Sequence, residues 1–257
     1  MTELIAIESI KPGVSLLKLN RPDKRNALSC EFMRQLCDTI QEIEKDPTQR
    51  VLVIRGEGRV FCAGLDLAEA QANTDARKSA ELVGEMLRTV YETKLITIAA
   101  VHGAAIAGGA GLMSACDLVI AEENTKIGYP EVHRGLVAAL VLGLLCTQVP
   151  RRMARELLIL GEIIEAPKAL EMGLVTRTCE VGKSYEEALE IADKVLLGGP
   201  LAIQRTKQAL NDFSGESFRT ALASALDGHL AARDSDEAQE GFAAFLEKRP
   251  PRWQSNL

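Results

Sequence analysis

Two turns rich in glycine and alanine are the features of this sequence best suited to chemistry. In residues 98–117 (IAAVHGAAIAGGAGLMSACD), an apolar strand pattern ends in a small-residue turn that opens a helix without a charged side chain. Residues 60–67 (VFCAGLDL) form a second such turn after another strand pattern. The first N–H groups of a helix have no intrahelical acceptor and can hold developing negative charge. Two such turns facing each other would supply a pair of backbone donors to one oxygen atom.

Glu131, in the segment IGYPEV at residues 127–132, is the best side-chain candidate for proton transfer. Pro130 fixes the backbone just before it, and a carboxyl that loses water beside an apolar stretch has a raised pKa. Taken alone, a glutamate is more often a surface residue capping a turn. His133, two residues later, could enter the same pocket as a donor or secondary acid, although a surface or packing role is commoner for such a histidine.

Four motifs in order carry a resemblance to a known family: FCAGLDL, AAVHGAAIAGGAGL, CDLVIA and KIGYPEV. With their spacings, they resemble the crotonase (enoyl-CoA hydratase/isomerase) superfamily. The opening LNRPDKRNAL at residues 19–28 is similar to the coenzyme A-binding start of the same family. The likeness covers the chain up to about Gly173, which is roughly two thirds of it.

The resemblance implies a set of reacting groups. The backbone N–H groups of Leu65 and Gly108 would form an oxyanion hole, and Glu131 would be one of two acid/base residues. The second acid of the family falls at Gly111, so no carboxylate comes from that position. A single base is sufficient to move a double bond between the 3- and 2-positions of an acyl thioester, whereas hydration is well served by paired glutamates. An apolar run at residues 135–144 replaces a Pro-Gly-x-Gly-Gly segment of many hydratases and indicates a differently shaped acyl pocket, similar to methylglutaconyl-CoA hydratase relatives.

The resemblance also implies a binding site for the acyl-CoA substrate. Arg21, Lys24 and Arg25 would supply the positive charge that a diphosphate needs, although a solvated charge cluster is the alternative. Tyr129 could line the acyl channel, although an aromatic beside proline is more often a packing residue. Phe245 and Lys248 resemble a tail segment that reaches the coenzyme A of a neighbouring subunit. The substrate-binding set is therefore predicted to be Lys24, Arg25, Ala27, Ala63, Asp66, Leu67, Tyr129, His133, Phe245 and Lys248.

Composition excludes several other classes of function. The 257 residues carry a net charge of −6 without a basic block, which argues against a nucleic-acid surface. The six cysteines are widely spaced and the three histidines do not cluster, so neither a zinc site nor a disulfide framework is predicted. The sequence lacks a signal-peptide pattern and a membrane span, so we expect a cytoplasmic protein with no membrane contact. No metal or redox cofactor is expected, because the thioester supplies the acidity and the protein supplies the base and the backbone donors. Coenzyme A is part of the substrate.

The fold class predicted from hydrophobic periodicity is α/β, followed by helices only. Strands are expected at residues 4–8, 14–19, 51–55, 96–101 and 118–121, and helices at 30–45, 76–93 and 108–115. After about residue 140 the pattern predicts helices at 141–148, 151–160, 167–172, 185–197, 201–211, 217–232 and 235–248. The resemblance turns this layout into a crotonase-like ββα spiral core at residues 1–195 and a helical trimerisation region at 196–257. We expect a homotrimer or a dimer of trimers, with part of the apolar stripe Phe218, Ala221, Leu222, Ala225 and Leu226 between subunits.

Two other functions remain open at this point. A dinucleotide-binding protein is suggested by Gly109-Ala110-Gly111 with Ser114 after a strand, but the surrounding βαβ unit and its acidic residue are missing. A non-catalytic protein that binds coenzyme A thioesters is suggested by Gly111, whereas the retained Glu131 favours proton transfer.

Overall fold

The computed structural model describes residues 3–72 and 76–254. Its first half alternates strands and helices: β1 (Ile5–Lys11), β2 (Val14–Leu19), α1 (Cys30–Ile43), β3 (Val51–Gly56), α2 (Leu67–Ala72), α3 (Ala76–Glu92), β4 (Ile96–Val101), β5 (Ala104–Ile106), α4 (Gly108–Ala115), β6 (Leu118–Glu122) and β7 (Lys126–Gly128). The second half contains α5 (Leu142–Gln148), α6 (Arg151–Leu160), β8 (Ile163–Glu165), α7 (Ala166–Met172), β9 (Arg177–Cys179), α8 (Ser184–Leu196), α9 (Pro200–Arg233) and α10 (Asp236–Glu247). Single 3-10 turns lie at Pro22–Lys24, Pro130–Arg134, Ala139–Val141 and Arg252–Gln254.

The strands form a larger and a smaller sheet. The larger one runs in the order β1-β2-β3-β4-β6-β9, parallel except for the β1–β2 hairpin. The smaller one pairs β7 in parallel with β5 and antiparallel with β8. β4 is buried at every position, as expected for a parallel strand covered on both faces. The repeated strand-strand-helix order agrees with the predicted α/β spiral core.

Local signals in the sequence explain where α1 and α7 begin and end. The Ser29 hydroxyl accepts from the Phe32 N–H and caps α1, whose apolar face is buried against the core. A proline in the first turn starts α7, and Gly173 ends it in the left-handed conformation with φ of 90°.

Two features of the predicted layout are wrong. The region after residue 140 is not purely helical, because β8 and β9 complete the two sheets. These strands, like β5 and β7, have three residues each, which is too short to show an alternating pattern. The helices predicted at 201–211 and 217–232 are one continuous helix, α9. An internal glycine costs a helix about 1 kcal/mol and does not by itself end it.

The C-terminal helices pack on the rest of their own chain. α9 lies against α3, α5 and the Ala139–Val141 turn. Leu222, Ala225 and Leu226 pack against the main hydrophobic cluster, so this part of the stripe is intrachain core. The side chains of Phe218 and Ala221 lie outside the described residues.

A partly buried ion pair fixes the first half of α9. The Lys207 ammonium lies 2.7 Å from Asp117 and donates to the Leu95 carbonyl at 2.8 Å. Asp117 also accepts from the Thr97 backbone N–H at 2.7 Å, so its carboxylate joins α9 to β4. Asp117 therefore has a structural role.

Close backbone packing fixes α10. A Cβ added to Gly241 would lie 2.1 Å from the Arg134 carbonyl oxygen, and one added to Gly135 would lie 2.5 Å from the Glu237 carbonyl carbon. Only glycine allows this approach between α10 and the Pro130–Arg134 turn.

Across the described residues, no helix is long and apolar enough to cross a membrane. Within the same ranges, no group of three or more His, Cys, Asp or Glu side chains is arranged to hold a metal ion.

Gly241→Ala is expected to destabilise the protein by roughly 2 kcal/mol or more, because the added methyl group meets backbone that cannot turn away. Gly228→Ala, in α9, is the matched control, since nothing lies within 4 Å of its added Cβ. The control is expected to be neutral or stabilising by up to about 1 kcal/mol. Chemical unfolding of both variants checks this, and equal stability of the two would contradict the packing described for α10.

Candidate active site

The two glycine-rich turns meet in space. Cys62 pairs with Ala105, and the Ile106 N–H donates to the Cys62 carbonyl at 3.0 Å. A Cβ added to Gly64 would lie 2.6 Å from the Ile106 carbonyl oxygen, and one added to Gly109 would lie 2.4 Å from that of Cys62. Glycine at both positions is therefore required for the turns to touch.

Ala107, the residue before α4, has an unusual backbone conformation. Its φ of 51° and ψ of −122° lie in a region that L-residues rarely adopt. Its N–H donates to the Gly128 carbonyl at 2.8 Å, which ties the turn to β7. This strained residue immediately precedes the first N–H groups of α4.

The Leu65 and Gly108 N–H groups lie on facing sides of this contact. A Cβ added to Gly108 would lie 3.8 Å from Leu65 N, and one added to Gly64 would lie 3.4 Å from Gly108 N. Among the described residues, neither N–H has a hydrogen-bond acceptor. Both residues line the same cavity, so the arrangement can offer two donors to one bound oxygen.

Glu131 projects into this cavity from the Pro130–Arg134 turn. Burial raises the pKa of its carboxyl to about 7, opposed by its own backbone N–H and by the charge of Arg134. Its Oε2 atom is enclosed and has no hydrogen-bond partner among the described residues. A carboxyl in this state can take and return a proton near neutral pH.

Arg134, one turn after Glu131, lines the same cavity. Its guanidinium carbon lies 4.7 Å from the centre of the Phe245 ring, which is a cation–π contact with α10. Burial lowers the pKa of Arg134, opposed by the charge of Glu131.

The cavity has a volume of about 400 Å³. It brings together most of the predicted site residues, which come from five separate stretches of chain. The predicted residues that line it are Lys24, Arg25, Ala27, Ala63, Leu65, Asp66, Leu67, Gly108, Glu131 and Phe245. Phe245 lines the cavity of its own chain, although the sequence suggested the site of a neighbouring subunit.

Three predicted binding residues do not line the cavity. Tyr129 is fully buried, and its hydroxyl is hydrogen-bonded to Ser114 at 2.8 Å, so it packs in the core rather than along the channel. The His133 ring is hydrogen-bonded to the Leu160 carbonyl at 2.8 Å and lies on the exposed side of the turn. Its 3-10 conformation, rather than an extended one, turns His133 away from Glu131. Lys248 is exposed at the end of α10.

Gly111, the position at which the resemblance places the second acid of the family, is buried inside α4. A Cβ there would lie 2.8 Å from a methyl group of Val141, which itself lines the cavity. The side chain of Val141 thus fills the space that a longer residue at position 111 would need.

The mouth of the cavity, where Asp23, Lys24 and Arg25 lie, carries less positive charge than predicted. Arg21 lies 2.8 Å from Asp66 in a partly buried ion pair and also donates to the Ala27 carbonyl. Lys24 and Arg25 remain exposed beside the cavity.

Comparisons with known proteins identify the family of this chain. The family model described as enoyl-CoA hydratase/isomerase matches residues 9–256. A putative enoyl-CoA hydratase of Thermus thermophilus is 39% identical over 249 residues, which cover 95% of this chain and 98% of the relative. The chain belongs to the enoyl-CoA hydratase/isomerase family.

Other members of the enoyl-CoA hydratase/isomerase family are similar over their whole length. The 2,3-dehydroadipyl-CoA hydratase of Escherichia coli is 33% identical, with 98% of each chain covered. The crystal structure of a putative enoyl-CoA hydratase from Mycobacterium avium paratuberculosis has a TM-score of 0.89 at 31% identity and covers 97% of this chain and 99% of its own. The crotonase fold inferred from the four motifs is thereby confirmed. The dinucleotide-binding alternative does not hold, since Gly111 of its pattern faces Val141 in the core.

Sequence reasoning missed several residues that shape the cavity of this member of the enoyl-CoA hydratase/isomerase family. Asn26, buried with φ of 55°, donates from its amide to the carbonyls of Glu57, Val60 and Phe61 and so joins the mouth to the first turn. Arg134, His229 and Arg233 also line the cavity. The spacing of Arg134 from Glu131 was a usable signal, but His229 and Arg233 reach the site only through the packing of α9.

The raised pKa of Glu131 predicts a specific dependence of stability on pH. Because the native pKa of about 7 exceeds the ordinary value of 4.5, the native state keeps a proton that the unfolded state has lost between these values. The free energy of unfolding should therefore fall with rising pH across this interval, by at most about 1.4 kcal/mol per pH unit. Glu131→Gln should remove this slope.

Urea unfolding of the wild type, Glu131→Gln and the control Glu156→Gln at pH 4.5 to 8 measures the effect. Glu156 is exposed on α6. The prediction is contradicted if wild type and Glu131→Gln keep a constant difference in unfolding free energy over this range.

Proposed function

We propose that this chain isomerises an enoyl-CoA by single-base chemistry. The Leu65 and Gly108 N–H groups would hold the thioester oxygen, Glu131 would remove a proton beside the thioester, and the resulting enolate would stay bound to the two donors. Glu131 would then return the proton two carbons away, which shifts the double bond from the 3- to the 2-position. Atoms balance without water or another reactant.

The main support for this proposal is the Glu131 carboxyl, whose Oε2 has no hydrogen-bond partner among the described residues. It lines the same cavity as the Leu65 and Gly108 N–H groups, which have no acceptor within the same ranges. The other carboxylates of the cavity are Asp66, which is paired with Arg21, and Asp23, which is exposed at the mouth. Val141 fills the place in which a second acid would stand. Isomerisation needs one base, whereas hydration also needs a group to position the water.

Hydration of a specialised enoyl-CoA is the second candidate. It is supported by the names of the relatives, since those cited above are called hydratases. A substrate similar to methylglutaconyl-CoA would suit the apolar run at residues 135–144. An ordered water held by groups other than a second glutamate would then be required.

We propose that the substrate's diphosphate lies at Lys24 and Arg25, with Ala27, Ala63, Asp66 and Leu67 beside the adenine and pantetheine. Lys248 would contribute from the end of α10. The thioester supplies the acidity of the reaction, so no separate metal or redox cofactor is required.

The exposed apolar residues Leu201, Leu210 and Phe213 on the first half of α9 support a homotrimer or a dimer of trimers, the assembly suggested for residues 196–257. The cysteines within the described residues are free thiols, which suits a cytoplasmic protein.

A paired assay tests the proposal. Purified protein is given a 3-enoyl-CoA, and conversion to the conjugated 2-isomer is followed alongside hydration of crotonyl-CoA and a longer 2-enoyl-CoA. We expect isomerisation to exceed hydration, and Glu131→Gln to lower it by roughly 10²- to 10⁴-fold, because the variant removes the base. Glu156→Gln is the matched control.

Robust hydration by the wild type, lost in Glu131→Gln, would contradict the single-base isomerase and favour the hydratase. No turnover of any substrate, with coenzyme A thioesters still bound, would identify a non-catalytic binding protein.

A further inference from the structure

The last turns of α9 bring basic side chains to the cavity wall. His229 and Arg233 are four residues apart and therefore lie on one face of the helix. Both line the cavity that contains Glu131. They come from a part of the chain that none of the four family motifs includes.

Arg233 is a buried cation without an anionic partner among the described residues. It is 5% exposed, and its Nη2 donates to the Ala70 carbonyl at 2.7 Å. Within the described ranges, its guanidinium forms no ion pair with a carboxylate, although Asp234 and Cys30 act on its charge at longer range. Burying a guanidinium without a counter-charge is costly, and one carbonyl satisfies only one of its five N–H donors. Such a group is suited to an anion supplied by a ligand.

Arg233 is a buried residue of the cavity wall. The charged mouth is formed by Asp23, Lys24 and Arg25, which are exposed. Arg233 instead contacts α2, whose Ala70 follows the first glycine-rich turn by a few residues. The cavity wall also includes the apolar side chains of Ala80, Val83, Leu140 and Val141. A thioester with its phosphates at the mouth would extend an acyl chain along this wall towards Arg233.

Arg134 also lines the cavity. Its buried Nε has no hydrogen-bond partner among the described residues, but its guanidinium stacks on Phe245 and its charge interacts with that of Glu131. The His229 ring is held by its Nδ1 at 3.3 Å from the Val137 carbonyl. Arg233 is therefore the group best placed to bind a further negative charge.

We propose that the acyl group of the substrate ends in a carboxylate, which binds the guanidinium of Arg233. This inference rests on the proposed function, because it takes the cavity as the acyl-CoA site. It selects, among enoyl thioesters, those derived from dicarboxylic acids. The planar fork of arginine is suited to hold a carboxylate through two parallel hydrogen bonds.

Binding of saturated ligands tests the inference without relying on turnover. Hexanedioyl-CoA and hexanoyl-CoA have the same chain length and differ in the terminal carboxylate. Isothermal titration calorimetry is expected to show tighter binding of the dicarboxylic ligand. The four- and eight-carbon pairs are measured as well, so that the length of the cavity is sampled.

Arg233→Gln keeps a donor for the Ala70 carbonyl and removes the charge. The ratio of the two dissociation constants should fall by roughly 10- to 150-fold, the size of one hydrogen bond to a charged group. Arg233→Lys should restore part of the ratio. Arg155→Gln, on the exposed side of α6, is the control for loss of a positive charge.

Three outcomes would overturn the inference. One is equal affinity of the wild type for both ligands of every pair, and another is a preference that Arg233→Gln leaves unchanged. The third is a preference that disappears in Arg134→Met but not in Arg233→Gln. If neither ligand of any pair binds, the proposed function fails together with this inference, whereas equal binding of both ligands defeats this inference alone.

Discussion

The site depends on the contact between two turns that have no room for side chains. Gly64 and Gly109 each place backbone within 2.6 Å or less of where a Cβ would stand, and each faces a carbonyl oxygen of the opposite turn. This approach sets the separation of the Leu65 and Gly108 N–H groups. The strain at Ala107 has the same origin, because the chain must reverse within one residue between β5 and α4. The pairing of Cys62 with Ala105 and of β5 with β7 stabilises the contact between the two turns.

The chemistry of the cavity depends on the desolvation of Glu131 as much as on the Leu65 and Gly108 N–H donors. Glu131 has a pKa of about 7 because burial removes water, while Arg134 and its own N–H oppose the change. A second carboxylate at position 111 would add a like charge nearby and would also have to displace Val141. The packing of the Ala139–Val141 turn on α4 therefore leaves no room for an acidic side chain at position 111. This argument supports chemistry that uses one base.

Local patterns predicted β1 to β4 and β6, which form most of the larger sheet, and the helices α1, α3 and α4, whereas the six-residue helix α2 was not predicted. The sequence could not reveal the three-residue strands, which exist only through their pairing with distant chain. Tyr129 and His133 were misplaced for a related reason. Their directions depend on whether the chain at Pro130 is extended or a 3-10 turn, and a proline is compatible with both. Glu131 was identified because it lies in a family motif after Pro130, whereas Arg233 lies outside the motifs and reaches the cavity only through the long helix α9.

The C-terminal helices form a wall of the cavity rather than a separate appendage. Gly135 and Gly241 allow α10 to approach the turn that carries Glu131, and this contact brings Phe245 over Arg134. The Lys207–Asp117 pair fixes the start of α9 on the sheet, and its last turn then reaches α2 through Arg233. A change in the position of either helix would therefore alter the solvent access of Glu131. Because burial is what raises the pKa of Glu131, the helices that follow the sheet help determine the acid/base property of a residue that they do not contain.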